Sequence, residues 1–274
     1  MKIGISSLCF LRRPLDNIIK IMIEESPLWE VVDEGAHVLN RERIRKLKKT
    51  GLEFTVHGRF SDVNTATIMS DLRKAFLKIY KKSIKNAYLL DARIWVLHAG
   101  IKSPLGFFYP ELERKMNLEF VKELARYAYD LGVTIAVENM IEPGLIRKIS
   151  EMKEFLSNIG LESVKACIDI GHFFIVEKNA FERIGVLRDQ IVLFHLHDND
   201  GVNDNHLGIG KGLINWDKLL DLISEIHFRG NLILEMYSVE DARDSLRMLL
   251  RLSLIHISEP TRPRLISYAV FCLK

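Results

Sequence analysis

Cysteine is scarce in this 274-residue chain: Cys9, Cys167 and Cys272 are all there is, and no two form a CxxC pair. That excludes a disulfide scaffold or a thiolate zinc ribbon and predicts reduced thiols. Long apolar runs are missing too; no uninterrupted stretch reaches the ~20 residues a membrane-spanning helix needs. The opening MKIGISSLCFLRRP lacks the apolar core and small-residue cleavage site of a leader, so a cytoplasmic location is expected, with no membrane partner. Neither sign of charge dominates, since 39 Lys and Arg face 36 Asp and Glu for a net +3. A balance that weak makes no case for nucleic acid or an anionic surface. What remains is ordinary globular material, 48% hydrophobic and 27% charged, which is neither disordered nor fibrous and can build a large core.

The character of the sequence changes at Leu252, where it reads LSLIHISEPTRPRLISYAVFCLK. Residues 252–262 and 266–273 resemble a sequencing-library adapter translated in frame, with Pro263, Arg264 and Leu265 in the place of a short index. Such a segment is set aside from fold reasoning. Arg262, Arg264 and Lys274 against Glu259 carry +2 of the +3, leaving residues 1–251 at +1 with two cysteines. These 251 residues are expected to form one domain, followed by a non-native tail at 252–274.

Within 1–251, eight short Val- and Ile-rich segments read as strands: KIGISSL, WEVVDEG, EFTVHG, IWVLHAG, TIAVEN, KACIDIGH, IVLFHLHDND and LILEM. Most are continuous apolar runs rather than alternating ones, the pattern of parallel strands covered on both faces. Between them, residues 14–25, 64–88, 112–131, 217–226 and 238–251 carry apolar side chains at helical spacing. Eight βα units in about 250 residues predict an α/β fold of the (β/α)₈ TIM barrel type. A doubly wound sheet would use fewer strands and a glycine-rich first turn, whereas the first strand here ends in SSLCF.

In such a barrel, chemistry sits at the C-terminal ends of the strands. Six successive strands end on a metal-competent side chain: His57, His98, Glu138, Asp169 with His172, His195 and Glu235. The steps of 41, 40, 31, 26 and 40 residues are about one βα unit each, so folding brings these groups to one mouth. The loop after the seventh strand adds His197, Asp198, Asp200, Asp204 and His206. Imidazole and carboxylate together suit a divalent cation, Mn²⁺ or Zn²⁺ first, Co²⁺ or Mg²⁺ next. Such a cation also relieves the repulsion among carboxylates crowded in one mouth. A single histidine at a strand end is more often a hydrogen-bonded structural residue; six strand ends in succession are not readily coincidental. His37 and His227 fit no pattern and are read as structural, and His197 as packed behind the ligands or facing solvent. Phe60, Phe107 and Phe108 are read as walls of a substrate pocket, with core positions as the alternative.

These stretches resemble the xylose isomerase-like TIM-barrel superfamily, which includes sugar isomerases and epimerases and the endonuclease IV family of apurinic-site nucleases. HGRFSDVN is similar to the family's HAPFSDxN, VLHAG to HPG, and VEN, DIGH and HLHDND to its later strand ends. DNHLGIGKGLINW, similar to DxHLPxGEGxIDW, is the most specific match. For the sugar branch the resemblance implies one divalent metal on Glu138, Asp169, His195 and Glu235. Glu138 and Glu235 would also act as acid and base through an enediolate, and His172 would orient a small sugar or sugar phosphate. For the nuclease branch it implies a three-zinc cluster on His57, His98, Glu138, Asp169, His172, His195, Asp204, His206 and Glu235.

A sugar or sugar-phosphate isomerase or epimerase is the first expectation, given the full-length likeness and near-neutral charge. A phosphodiester hydrolase, the one case with a nucleic-acid partner, is the alternative, and a non-catalytic binding barrel the third. The lysine-rich KIYKKSIK falls on a predicted helix away from the mouth and reads as a solvated face. Arg59 and Gly58 replace the family's Pro and Ala, and Arg59 reads either as a reach toward a substrate phosphate or as a surface residue. Lys211 and Ala99 also depart from the family pattern. Many barrels self-associate, which leaves a homo-oligomer open.

Overall fold

Eight parallel strands close on themselves in chain order, as the count of βα units predicts. They are β1 (Lys2–Ser6), β2 (Leu28–Val32), β3 (Glu53–His57), β4 (Ile94–His98), β5 (Thr134–Glu138), β6 (Val164–Asp169), β7 (Ile191–Leu196) and β8 (Asn231–Leu234). β8 pairs back onto β1, with Lys2 opposite Asn231. The computed structural model describes residues 1–178 and 180–258, with side chains as far as Arg251. Beyond the backbone up to Ser258, the adapter-like segment lies outside the described residues.

Strand side chains alternate between faces with period two. Leu28, Val96, Ala136, Cys167, Leu193 and Ile233 point inward and form a buried apolar plug. Two residues further along the same six strands stand Glu30, His98, Glu138, Asp169, His195 and Glu235. The period that builds the plug therefore delivers a polar layer directly above it. On β1 the inward position is Gly4, where a Cβ would lie 2.7 Å from Leu28 Cγ and 3.0 Å from Ile233 Cδ1, so larger neighbours fill its space.

The outward faces pack beneath helices α1 (Leu15–Glu25), α2 (Arg41–Lys48), α3 (Ser70–Leu89), α4 (Pro110–Asp130), α5 (Ile149–Ile159), α6 (Ile170–Val176), α7 (Trp216–Glu225) and α8 (Val239–Ser258). α4 buries Phe120, Val121, Leu124, Ala125 and Ala128, and each full-size side chain so buried contributes about 1.5–3 kcal/mol. α2, α5 and α6 escape the periodicity reading; α6 begins at Ile170, inside the KACIDIGH segment that reads as a strand, and α2 has only Ile44 and Leu47 as buried residues among charged ones. The expected helix over residues 64–88 starts only at Ser70. The preceding residues are instead a loop pinned by Asn64, whose Oδ1 accepts from Ile101 N and whose Nδ2 donates to Ile101 O.

The long loop after β7 is organised by Asp198. Its carboxylate accepts hydrogen bonds from Asn199 N (2.9 Å), Gly210 N (3.0 Å), Ile214 N (3.2 Å) and Trp216 Nε1 (2.8 Å). A Cβ on Gly212 would come within 2.3 Å of Asn199 O and Asp198 Oδ1. The GIGKGLINW stretch is thus the frame that holds Asp204 and His206 over the mouth.

Candidate metal centre

Glu138, Asp169, His195 and Glu235 meet at one point. Each offers a donor atom, and the four atoms lie within 4.8 Å of one another. His195 Nδ1 is 3.3 Å from Glu138 Oε1, 3.3 Å from Glu235 Oε2 and 3.9 Å from Asp169 Oδ2. All four residues are buried, and two of the facing atoms, Glu138 Oε1 and His195 Nδ1, have no hydrogen-bond partner. Orphaned buried donors and acceptors are rare and costly. Three carboxylates and an imidazole nitrogen converging in this way fit a divalent cation.

Two further groups flank the first. His57, His98 and Glu138 form one; His172, His197, Asp204 and His206 form the other. His57 Nε2 and His98 Nε2 lie 3.3 and 3.1 Å from Glu138 Oε2. His172 Nε2 and His206 Nε2 are both 3.2 Å from Asp204 Oδ2. Three of these rings are steered by the backbone: Nδ1 of His57 donates to Gly58 O (2.7 Å), of His172 to Asn139 O (2.9 Å) and of His206 to Glu235 O (2.6 Å). That leaves Nε2 of each facing the mouth. All nine residues that the family resemblance assigns to a three-zinc cluster fall within these groups, whereas Asp198 and Asp200 do not.

The electrostatics are those of a crowded anionic site. Burial alone would raise the carboxyl of Glu138, but the charges of His195 and His98 and the hydrogen bond from His57 hold it well below the usual range. Asp169 is lowered likewise, burial being outweighed by His172 and His197. The rings respond in the opposite sense. Burial disfavours their charge, yet Glu138 raises His57 to about 9, and Asp169 with Asp204 raises His172 to about 10. Asp204 raises His206 to about 9 in the same way. Ring protons supply the positive charge that the carboxylates require.

His197 corrects part of its sequence reading. It is wholly buried rather than solvent-facing, with Nε2 3.1 Å from Asp169 Oδ1. Space for its ring exists only because residue 171 is glycine, where a Cβ would lie 1.9 Å from His197 Cε1. Asp198 serves the loop frame, and Asp200 forms an exposed turn with Val202 and Asn203. Phe60 packs on His57 and His98, at ring-centroid distances of 5.4 and 5.6 Å, and so belongs to the mouth. Phe107 and Phe108 are exposed on the next loop, so neither is a core residue.

Arg59 lines a small cavity with Asp33, Ser83 and Asn86 and acts on the Asp33 carboxylate, not on the metal-competent cluster. Gly58 stands where a Cβ would strike the Trp95 indole at 2.4 Å, so this departure from the family pattern is matched by a larger neighbour. The lysine run lies on α3, where Lys81 pairs with Glu123. Cys167 borders Glu138 and His195; burial raises its thiol well above the ordinary value, so it remains protonated.

Sequence reasoning missed Glu30. It sits on β2, fully buried, facing His195. The signal was present in WEVV, where an acidic residue interrupts an apolar strand at an inward position.

A closed parallel barrel with carboxylates and histidines at its mouth defines a class, and the comparisons agree. The chain belongs to the xylose isomerase-like TIM barrel family, whose model matches residues 19–252. Among its relatives, the uncharacterized protein MJ1311 of Methanocaldococcus jannaschii is 31% identical over 258 residues, 91% of this chain and 88% of that protein. A crystal structure of a D-tagatose 3-epimerase-like protein superposes with a TM-score of 0.89 at 29% identity, covering 95% of this chain and 100% of that one. The D-psicose 3-epimerase of Ruminiclostridium cellulolyticum is 26% identical over 199 residues, 68% of this chain and 64% of that protein. Among the described residues no helix is long and apolar enough to cross a membrane.

Proposed function

We propose that residues 1–251 form a divalent-metal-dependent ketose epimerase that inverts the carbon next to the carbonyl. The observation that carries this is the convergence of Glu138, Asp169, His195 and Glu235 on one point lined by unsatisfied buried atoms. The names of the relatives, which act on psicose or resemble a tagatose epimerase, support the substrate class. Glu138, Asp169, His195 and Glu235 would hold the ion, with Mn²⁺ or Zn²⁺ suiting the donor set. When bound, the ion supplies Lewis-acid polarisation of the substrate carbonyl and neighbouring hydroxyl.

The chain's own groups do the rest. Glu138 and Glu235 come from strands three apart around the barrel, so their carboxylates reach the same carbon from different sides. One removes the proton and the other returns one to the opposite face. His172, held by Asn139 O and by Asp204, orients substrate hydroxyls. Phe60 covers the mouth and excludes water.

The test uses protein ended after Arg251, loaded with Mn²⁺ or Zn²⁺ and incubated with psicose, tagatose or fructose in D₂O. Deuterium is expected at the inverted carbon, with about one ion per chain. No exchange on any ketose overturns the reading. A second reading, hydrolysis at abasic sites in DNA, is supported by the two flanking donor groups, which could hold two further ions. Three zincs per chain together with cleavage of abasic duplex would establish it; absence of cleavage removes it.

A further inference from the structure

The six imidazoles of the centre that face carboxylates across it are not held alike. His57, His172 and His206 each have Nδ1 tied to a backbone carbonyl at a strand end or loop. His195 cannot use that device. It lies inside β7, flanked by β6 and β8, with Asp169 and Ile233 as its register partners, so the carbonyls around it belong to the sheet ladder. Its ring is also turned the other way: Nδ1 faces Glu138 and Glu235, and Nε2 points across the lumen to Glu30.

Glu30 is fully buried on β2, three strands away from β7 around the closed barrel. His195 Nε2 donates to Glu30 Oε2 at 3.3 Å and lies 3.1 Å from Oε1. Thr55 Oγ1 donates to Oε2 at 3.3 Å from the neighbouring strand β3. Among the described residues His195 is the one imidazole hydrogen-bonded to this buried carboxylate, whose charge is also felt by His57; a buried carboxylate needs such a partner.

We infer that Glu30 is a positioning residue: it accepts the Nε2 proton of His195 and so fixes the tautomer and rotation that present Nδ1 to the ion. This rests on the metal-binding reading above. A carboxylate behind a ligating histidine makes the ring a stronger donor, and losing such a partner weakens metal binding about 10- to 100-fold.

The experiment measures Mn²⁺ and Zn²⁺ affinity by chelator competition for the parent, Glu30→Gln and Glu30→Leu, together with the His195 Nε2–H resonance of the Zn²⁺-loaded proteins. About 10- to 100-fold weaker binding is expected for Glu30→Leu, with loss or a large shift of that resonance. Glu30→Gln keeps an acceptor oxygen and is expected to fall between Glu30→Leu and the parent. Should Glu30→Leu not fold, the isosteric Glu30→Gln decides, with weaker binding and a displaced resonance expected. Parent-like affinity and an unmoved Nε2–H signal in the folded variants overturn the inference while leaving the metal site standing. A parent that binds neither ion overturns both. A residue needed only for folding would change stability and leave affinity and resonance alone.

Discussion

Gly171→Ala separates local propensity from tertiary packing because the two forecast opposite signs. Gly171 is the second residue of α6, and a Gly-to-Ala change inside a helix ordinarily stabilises by up to about 1 kcal/mol. Here the new Cβ would lie 1.9 Å from His197 Cε1 and 2.4 Å from both ring nitrogens. The ring cannot simply slide away. It stacks on His206 with centroids 3.9 Å apart, and its Nε2 is bonded to Asp169 at 3.1 Å. Overpacking costs about 1–3 kcal/mol, and loss of a hydrogen bond to a charged group about 1.5–3. The net expectation is a destabilisation of about 2–5 kcal/mol, which for a domain of this size lowers the thermal midpoint by roughly 5–15 °C. The assay is thermal and urea unfolding of metal-free protein, repeated in a His197→Ala background. With the ring gone, the added methyl should cost little or help slightly, giving a coupling above about 1 kcal/mol. If Gly171→Ala proves as stable as the parent, or costs the same with and without His197, the steric argument is wrong.

Two further outcomes follow from the site. In metal-free protein His57, His172 and His206 titrate at about 9, about 10 and about 9, against about 6.5 when unfolded. The folded chain holds the extra protons in that window, so their stabilisation is complete below about pH 6.5 and disappears as pH climbs through 9 to 10. The urea midpoint of stripped protein should fall over that range, and metal should bind more tightly as pH rises because it displaces those protons; a flat midpoint together with pH-independent affinity contradicts this. Glu235→Gln should abolish proton exchange at the substrate carbon while circular dichroism stays unchanged, and full turnover by that variant would remove Glu235 as acid or base.

Much of the fold is local and therefore readable. Each of the eight strands is an apolar run, and β1 begins at Lys2, β3 at Glu53 and β4 at Ile94, where the sequence puts them. Helices with a marked apolar stripe, such as α4, are equally legible. α2 is not, because two buried residues in eight make no stripe. The polar strand ends were legible as a list, since one metal-competent residue per βα unit is a pattern along the chain. Glu30 was not, because its meaning depends on His195, 165 residues away.

By itself the sequence determined the eight strands, their order, the helices with a marked apolar stripe, and the strand-end side chains that could carry chemistry, because these follow from periodicity and residue type over a few neighbouring positions. Tertiary structure alone decided that Glu138, Asp169, His195 and Glu235 share one point, that His197 turns inward over Gly171, and that Arg59 turns away toward Asp33. Barrel closure sets those distances by joining β1 to β8, and contacts across a lumen between distant strands leave no periodic trace in the chain that makes them.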